Sequence, residues 1–356
     1  MNYVLYKELD IFPQENGKVT VYHRKTRKTY SLGAKEAQVL QCFDGVNTLE
    51  AVQIACPFYS EEEIAKLTQA FCDLGFFEGH QKKRYFNPLK IHLRLLNPNN
   101  IIACDSTAAS ILSRSILYGC PVVFLLGLVT LLLNRLGVIV PQFSAEAVVS
   151  GYMQMDATDI LLLFLINFLC LSAHELAHAI TARRCGVNVP EIGIMLYCLV
   201  PCAYTNISGI RLLKSDRRKI AVLLSGSCMN LGIAGACMIA FWFTANLTVG
   251  VFLIAAIVMN LGTVFLNGVC FLKFDGYYIL EVLLNEPAFH EKAMLHLKQC
   301  LMLAGEKYRT ELAAFHKSLR QSEQAAVQHL FYCTYAILSV VFVPVLIGNV
   351  IFSYLV

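Results

Sequence analysis

Apolar positions form long runs from about residue 112 onward, whereas the first eighty residues alternate between apolar and polar positions. Each run reaches about the 20 residues that a bilayer core requires, so each predicts a membrane-spanning helix. We expect about five spans, at residues 112–134, 159–182, 219–244, 249–272 and 329–354. The pattern therefore predicts a mainly α, polytopic helical membrane protein with a small α+β domain at its N-terminal end.

Residues 1–80 carry the pattern of that small domain. Residues 18–23 and 29–32 alternate in polarity on either side of a basic turn, which is typical of a β-hairpin. Three short helices follow, and the third begins at Ser60, where Glu63 completes a capping box. A hairpin with three helices predicts a winged-helix domain.

A hairpin is also predicted between the second and third spans, over residues 191–209. This segment is mostly apolar, is interrupted by Pro201 and is too short to cross a bilayer. We expect a re-entrant hairpin whose edge could pair with an extended substrate, and a packed interfacial loop is the alternative. The remaining predicted regions are a basic interfacial connector at 81–110, an intramembrane core at 111–285, a cytoplasmic helical segment at 286–328 and a C-terminal transmembrane helix at 329–356.

Composition and charge agree with this membrane protein and give it an orientation. The chain is 56% hydrophobic and only 15% charged. The loop at 135–158 has one cation, Arg135, whereas residues 183–219 hold seven. Because cations collect on the cytoplasmic side, we expect a cytoplasmic N-terminus. The first residues lack a basic segment followed by an apolar one, so no cleavable signal peptide is predicted.

Charge argues against nucleic acid as a partner of the winged-helix domain. Residues 1–80 contain eight Lys or Arg residues against eleven Asp or Glu residues. The third helix opens with Glu61, Glu62 and Glu63, where a recognition helix would have to approach phosphate groups. We therefore expect no nucleic-acid partner.

The candidate chemistry lies in the second span, in the sequence His174-Glu175-Leu176-Ala177-His178. Ionisable groups within hydrocarbon are costly, so their presence indicates function. On a helix the two histidines share one face and Glu175 lies beside the first, which is how this spacing binds Zn²⁺ next to a general base. His178 is only about 8 Å along the helix from Arg183, so the site is expected near the cytoplasmic face.

Catalytic zinc needs a third protein ligand and an open position for water. Asp275 is the strongest candidate because it follows the fourth span at the depth expected for His178, and Gly276 lets the chain bend there. Glu281 and Glu191 are alternatives, but each requires more rearrangement of the backbone.

These motifs resemble the site-2 protease family of intramembrane zinc metalloproteases. The likeness rests on residues 174–178, on Gly226-Ser227-Cys228-Met229-Asn230 in the next span, and on Asn267 ahead of Asp275-Gly276. The resemblance implies that His174, His178 and Asp275 bind zinc and that Glu175 is the catalytic base. Asn230 and Asn267 are candidates for holding the substrate or its oxyanion.

The chain departs from the family pattern at three positions. Cys270 and Leu272 stand where prolines are usual, and Phe274 replaces the leucine before the Asp-Gly pair. These changes affect the expected backbone path rather than the ligand set.

The N-terminal domain resembles the PqqD-type peptide-recognition module of ribosomal-peptide biosynthesis. The likeness rests on Tyr30-Ser31-Leu32, on residues 43–50 and on Leu74-Gly75-Phe76-Phe77. It implies that a leader peptide adds a strand to the hairpin edge. With Phe274-Asp275-Gly276-Tyr277-Tyr278, it favours the branch linked to bacterial peptide maturation.

Together these features predict a zinc-dependent metalloendopeptidase that matures a ribosomally made peptide. One alternative is regulated cleavage of a membrane-anchored regulator, and another is a non-catalytic membrane binding or immunity protein. The intact Glu175 argues against the last, because zinc binding alone needs no base. The expected partners are a peptide or membrane-anchored substrate and the lipid bilayer, and the sequence makes no prediction of the oligomeric state.

Overall fold

The structure, a computed structural model, describes residues 3–7, 9–13, 18–23, 28–79, 90–104, 106–140, 142–197, 200–286, 288–303, 327, 330–342 and 344. The chain divides into two compact units. The first consists of Met1–Ser113 and Glu175–Lys214, and the second of Arg114–His174 and Ser215–Val356.

The first unit opens with a three-stranded antiparallel sheet followed by three helices. The predicted hairpin corresponds to the second and third strands, which pair from Lys18 with Gly33 to His23 with Lys28. The first strand was not predicted, because Asp10 and Pro13 are poor strand formers. The elements are β1 (Leu9–Pro13), β2 (Lys18–His23), β3 (Lys28–Gly33), α1 (Ala34–Gln41), α2 (Leu49–Ala55) and α3 (Glu61–Leu74), with strand order β1-β2-β3.

Helix α3 begins and ends where its sequence specifies. The amide of Glu63 donates to Ser60 Oγ at 3.4 Å, and the amide of Ser60 donates to Glu63 Oε2 at 2.8 Å, so the predicted capping box is present. Gly75 then ends the helix with a φ of 77°, a conformation that favours glycine. The helices and sheet enclose one core, whose largest members include the buried aromatic residues Phe43, Phe71, Phe76 and Phe77.

A second antiparallel sheet in the first unit joins distant parts of the chain. Its strands are β4 (Lys90–Leu96), β5 (Ile192–Tyr197) and β6 (Val200–Thr205), in the order β4-β5-β6. The pairing of β4 with β5 was not predicted. It leaves no room beside Gly193, where an added Cβ would lie 2.2 Å from the Leu93 carbonyl oxygen.

Arg183 connects the segment before the first span to the turn that follows α8 (Ala157–Arg184). Its Nε donates to the Ile102 carbonyl at 2.9 Å, and its Nη1 donates to the Val187 carbonyl at 3.2 Å. The side chain is 9% exposed. Arg183 is therefore a buried structural donor, in addition to one of the cations that suggested the orientation.

In the described part of the chain, four helices are long and apolar enough to cross a membrane, and they overlap the first four predicted spans. The short helix α4 (Pro98–Ile101) precedes them. The first of the four, Thr107–Arg135, contains α5 (Thr107–Arg114), a π-helical turn at Ser115–Gly119 and α6 (Cys120–Arg135). After α7 (Ala145–Met153) come α8, a 3-10 turn at Ser208–Leu212, α9 (Asp216–Phe241) and α10 (Leu247–Gly268).

Glycines allow α6 and α9 to approach closely in the second unit. A Cβ added to Gly235 would lie 2.4 Å from Phe124 Cα, and one added to Gly127 would lie 3.0 Å from Gly235 Cα. Packing through small residues is typical of membrane helices, which have no hydrophobic effect between them.

Three further helices complete the described second unit: α11 (Asp275–Leu284), α12 (Phe289–Leu303) and α13 (Leu330–Phe342). Helix α12 covers part of the predicted helical segment at 286–328, and residues 304–326 lie outside the described residues. Helix α13 begins the predicted fifth span and is apolar, but residues 345–356 also lie outside the described part. Phe289 and Ala293 of α12 pack with Tyr335 and Ala336 of α13.

Candidate metal centre

Helix α8 carries His174, Glu175 and His178 within one unbroken run of 28 residues. The two histidines are buried, at 4% and 3% exposure, while Glu175 is half-buried. Leu176, between them in sequence, is exposed. The two imidazoles therefore lie on one buried face of the helix, as the four-residue spacing predicted.

Asp275 is the first residue of α11, directly after the linker at residues 269–274. Its Oδ2 lies 3.3 Å from His174 Nε2. One ligand atom from each of His174, His178 and Asp275 can be chosen so that all three lie within 4.8 Å of one another. Among the described residues, this is the one group of three or more His, Cys, Asp or Glu side chains that could hold a metal ion.

The donor set of this group fits a catalytic zinc ion. Two imidazoles and one carboxylate are a known ligand set for such ions, which leaves a fourth position open. Two atoms bound at about 2.1 Å to one tetrahedral ion lie about 3.4 Å apart, close to the separation of the His174 and Asp275 atoms. That separation is longer than the 2.7–2.9 Å typical of a charge-assisted hydrogen bond.

Gly276, next to Asp275, has a different role from the one expected. Its φ is not positive, so the glycine is not needed for a bend. It is needed for space, because an added Cβ would lie 2.6 Å from the Asn267 carbonyl oxygen and 2.8 Å from that of Gly268. Thus α11 begins against the last turn of α10.

The two alternative third ligands lie outside the metal-ligand group of the described chain. Glu281 is buried, and its Oε1 accepts hydrogen bonds from the Tyr277 hydroxyl at 2.5 Å and from the Phe289 amide at 3.3 Å. Burial raises the pKa of Tyr277, and the hydrogen bond to Glu281 raises it further. Glu191 starts the hairpin, where its carbonyl accepts from the Asn206 amide at 3.0 Å.

The two candidate substrate-binding asparagines differ in environment. Asn230 of α9 is 1% exposed, and within the described chain neither its Nδ2 nor its Oδ1 has a hydrogen-bond partner. Such buried, unpaired amides are rare in folded proteins. Asn267, near the end of α10, is half-buried.

A contact at Glu175 was not foreseen from the sequence. Thr205, the last residue of β6, donates its hydroxyl to the backbone carbonyl of Glu175 at 3.0 Å. Thr205 lies within the predicted hairpin segment at 191–209, and nothing in the sequence indicated this partner. The bond attaches the end of β6 to the backbone of α8 at Glu175.

The family model described as peptidase family M50 matches residues 161–343, which is just over half of the chain. The chain belongs to peptidase family M50. No curated protein and no solved structure matches it.

Membership of family M50 implies an intramembrane metalloprotease. Members of the family are zinc metalloproteases, and the matched region contains the His174, His178 and Asp275 group. The four apolar helices accord with a protease in a lipid bilayer that acts on a protein substrate.

Proposed function

We propose that this M50 peptidase is a zinc-dependent endopeptidase that cleaves a small ribosomally made peptide, or its leader, within or near the membrane. The observation that carries this proposal is the group of His174, His178 and Asp275 with Glu175 next to the first ligand. The three side chains would hold the ion, and Glu175 is half-buried beside them.

The chemistry divides between the ion and the chain. A bound zinc ion supplies Lewis acidity, which lowers the pKa of water and polarises a carbonyl group. Glu175 takes the proton of the attacking water and delivers it to the amine that leaves when the C–N bond breaks. The bond from Thr205 to the Glu175 carbonyl ties this turn of α8 to β6.

The substrate is proposed to bind in extended form along β6. This strand is the outer strand of the described β4-β5-β6 sheet, and such an edge can pair with a peptide backbone. Thr205 places the end of that edge beside Glu175. The buried amide of Asn230 supports a role in holding the substrate backbone or the oxyanion, and we propose the same role for Asn267.

The N-terminal domain is proposed to recruit the substrate. In the described sheet β3 is an outer strand, so a leader peptide could pair with it as the PqqD-type resemblance implies. We also propose a bacterial cell membrane with a cytoplasmic N-terminus and an active site near the cytoplasmic face. The cations at residues 183–219 support this orientation.

The catalytic assignment is tested with two variants of the purified full-length protein. Glu175→Gln keeps the three ligands, so zinc content should be unchanged while cleavage falls at least about a hundredfold. Asp275→Ala removes a ligand and should lower the zinc content itself. Glu191→Gln makes the same change as Glu175→Gln outside the ligand group and should leave both unchanged. A Glu175→Gln protein that still cleaves would exclude Glu175 as the base.

The substrate assignment needs a separate experiment. The full-length Glu175→Gln protein is titrated with peptides encoded near its gene and with scrambled versions of the same peptides. Saturable binding of one leader, lost on scrambling, would support peptide maturation. Absence of binding by every peptide would contradict it.

A further inference from the structure

The linker that precedes Asp275 is held by α12 and α13. The hydroxyl of Tyr335 in α13 donates to the Cys270 carbonyl at 2.9 Å, and Tyr335 is 5% exposed. Lys273 forms an ion pair with Glu291 of α12. Both members of that pair are about half exposed, so it contributes little, and the buried tyrosine is the stronger restraint.

The first turn of α11 is held by a second buried hydrogen-bond group. Tyr277, two residues after Asp275, is 2% exposed. Its hydroxyl donates to Glu281 Oε1 at 2.5 Å and accepts from the His290 amide at 3.2 Å. Glu281 also accepts from the Phe289 amide, so a single carboxylate joins the first turn of α11 to the start of α12.

The hydrogen-bond group of Tyr277 and Glu281 has no direct part in the proposed chemistry, yet burying its carboxylate costs free energy. A carboxylate loses hydration on burial and remains only where hydrogen bonds replace it. Here those bonds fix the backbone next to a metal ligand, whose distance to the ion tolerates only about 0.2 Å of error.

We propose that Tyr277, through Glu281, and Tyr335, through the Cys270 carbonyl, are positioning residues that hold Asp275 at the metal centre. The inference rests on the proposed function, because it takes Asp275 as a zinc ligand. It makes α12 and α13 part of the metal centre although neither supplies a ligand.

The first test measures zinc dissociation from the purified full-length protein into excess chelator. Tyr277→Phe keeps the ring and removes the hydroxyl, and we expect zinc to leave about tenfold faster, as for other residues that support metal ligands. Tyr335→Phe should act in the same direction from the other side of the linker. Tyr278→Phe, the same change one residue further on, should stay within about twofold of the unchanged protein.

Glu281 provides a matched pair of variants. Glu281→Gln retains an oxygen that can accept from Tyr277 and Phe289, so zinc should dissociate at nearly the original rate. Glu281→Leu removes the acceptor and should reproduce the effect of Tyr277→Phe. Equal dissociation rates for the Gln and Leu variants would overturn the role of Glu281.

A second readout separates positioning from a general loss of stability. Cobalt is substituted for zinc, and its visible absorption reports the geometry of the ligands in folded, loaded protein. Tyr277→Phe should shift this spectrum and Tyr278→Phe should not. An unchanged spectrum together with an unchanged zinc dissociation rate for both Tyr277→Phe and Tyr335→Phe would overturn the proposal.

The outcomes are distinct from those that test the proposed function. If the unaltered protein binds zinc but cleavage does not depend on Glu175, the proposed function fails and the positioning of Asp275 stands. If cleavage depends on Glu175 and the tyrosine variants match the unaltered protein in both readouts, only the positioning fails. If the unaltered protein binds no zinc, both the proposed function and the positioning of Asp275 at a zinc ion fail.

Discussion

Replacing Gly276 by Ala should disable the metal centre with little loss of stability. The new methyl group would lie 2.6 Å from the Asn267 carbonyl oxygen, whereas ordinary contact begins at 3.4 Å. The first turn of α11 must therefore move by about 0.8 Å relative to the end of α10. Asp275 is the preceding residue in that turn and would be displaced with it.

The displacement is large for a metal ligand and small for a fold. A shift of this size exceeds the tolerance of about 0.2 Å in zinc–ligand distances. Misplacement of a reacting group by 1 Å costs on the order of a hundredfold in rate. Overpacking costs about 1–3 kcal/mol, and the better helix propensity of Ala over Gly offsets up to about 1 kcal/mol of it.

The assay compares Gly276→Ala with Gly268→Ala. A Cβ on Gly268 meets nothing within 4 Å, although Gly268 forms the other side of the same contact. We expect zinc per chain and cleavage rate to fall sharply for Gly276→Ala and to stay unchanged for Gly268→Ala, with thermal unfolding measured for both. Normal zinc content and normal cleavage in Gly276→Ala would refute the argument that this contact places Asp275.

Three further predictions concern the packing around the site. Gly235→Ala should lower the free energy of unfolding by about 1–2 kcal/mol, because its methyl group would overlap α6. A methyl group at Gly262 meets nothing within 4 Å, so Gly262→Ala should leave stability unchanged. Equal unfolding temperatures for the two variants would contradict this prediction. Thr205→Val removes the hydrogen bond between β6 and the backbone of the proposed base Glu175, so it should lower kcat at unchanged zinc content. Thr205→Ser keeps the hydroxyl and should retain the kcat of the unaltered protein. Full activity of the Val variant would show that this hydrogen bond does not position Glu175. Arg183→Met leaves two backbone carbonyls without their donor and should destabilise the protein by about 2–4 kcal/mol in a thermal or denaturant titration, and an effect below about 0.5 kcal/mol would show that water replaces both bonds.

Local signals predicted the long helices and two of the three residues in the candidate metal-ligand group. A capping box, a run of apolar residues and a four-residue histidine spacing each lie within a few turns of one helix. The structures that these signals predict therefore depend little on distant parts of the chain. For this reason Ser60, the first four spans, and the shared face of His174 and His178 were predictable.

Contacts between distant segments were only partly predictable. Depth in the membrane favoured Asp275, but Glu281 lies less than two turns further along the same helix. What separates them is a tertiary contact: Glu281 is bonded to Tyr277 and Phe289, while Asp275 meets His174. No pattern within α11 encodes that difference.

The unpredicted strand pairing also has a consequence for biogenesis. Strand β4 lies ahead of the first two predicted spans and β5 follows them, so the sheet joins residues about a hundred positions apart. Two strands can pair only on one side of a bilayer, so the chain between them must cross an even number of times. The pairing of β4 with β5 therefore limits the membrane topologies that the chain can adopt. The ribosome must complete both spans before β4 finds its partner, and until then β4 is an unpaired strand edge exposed to misassembly.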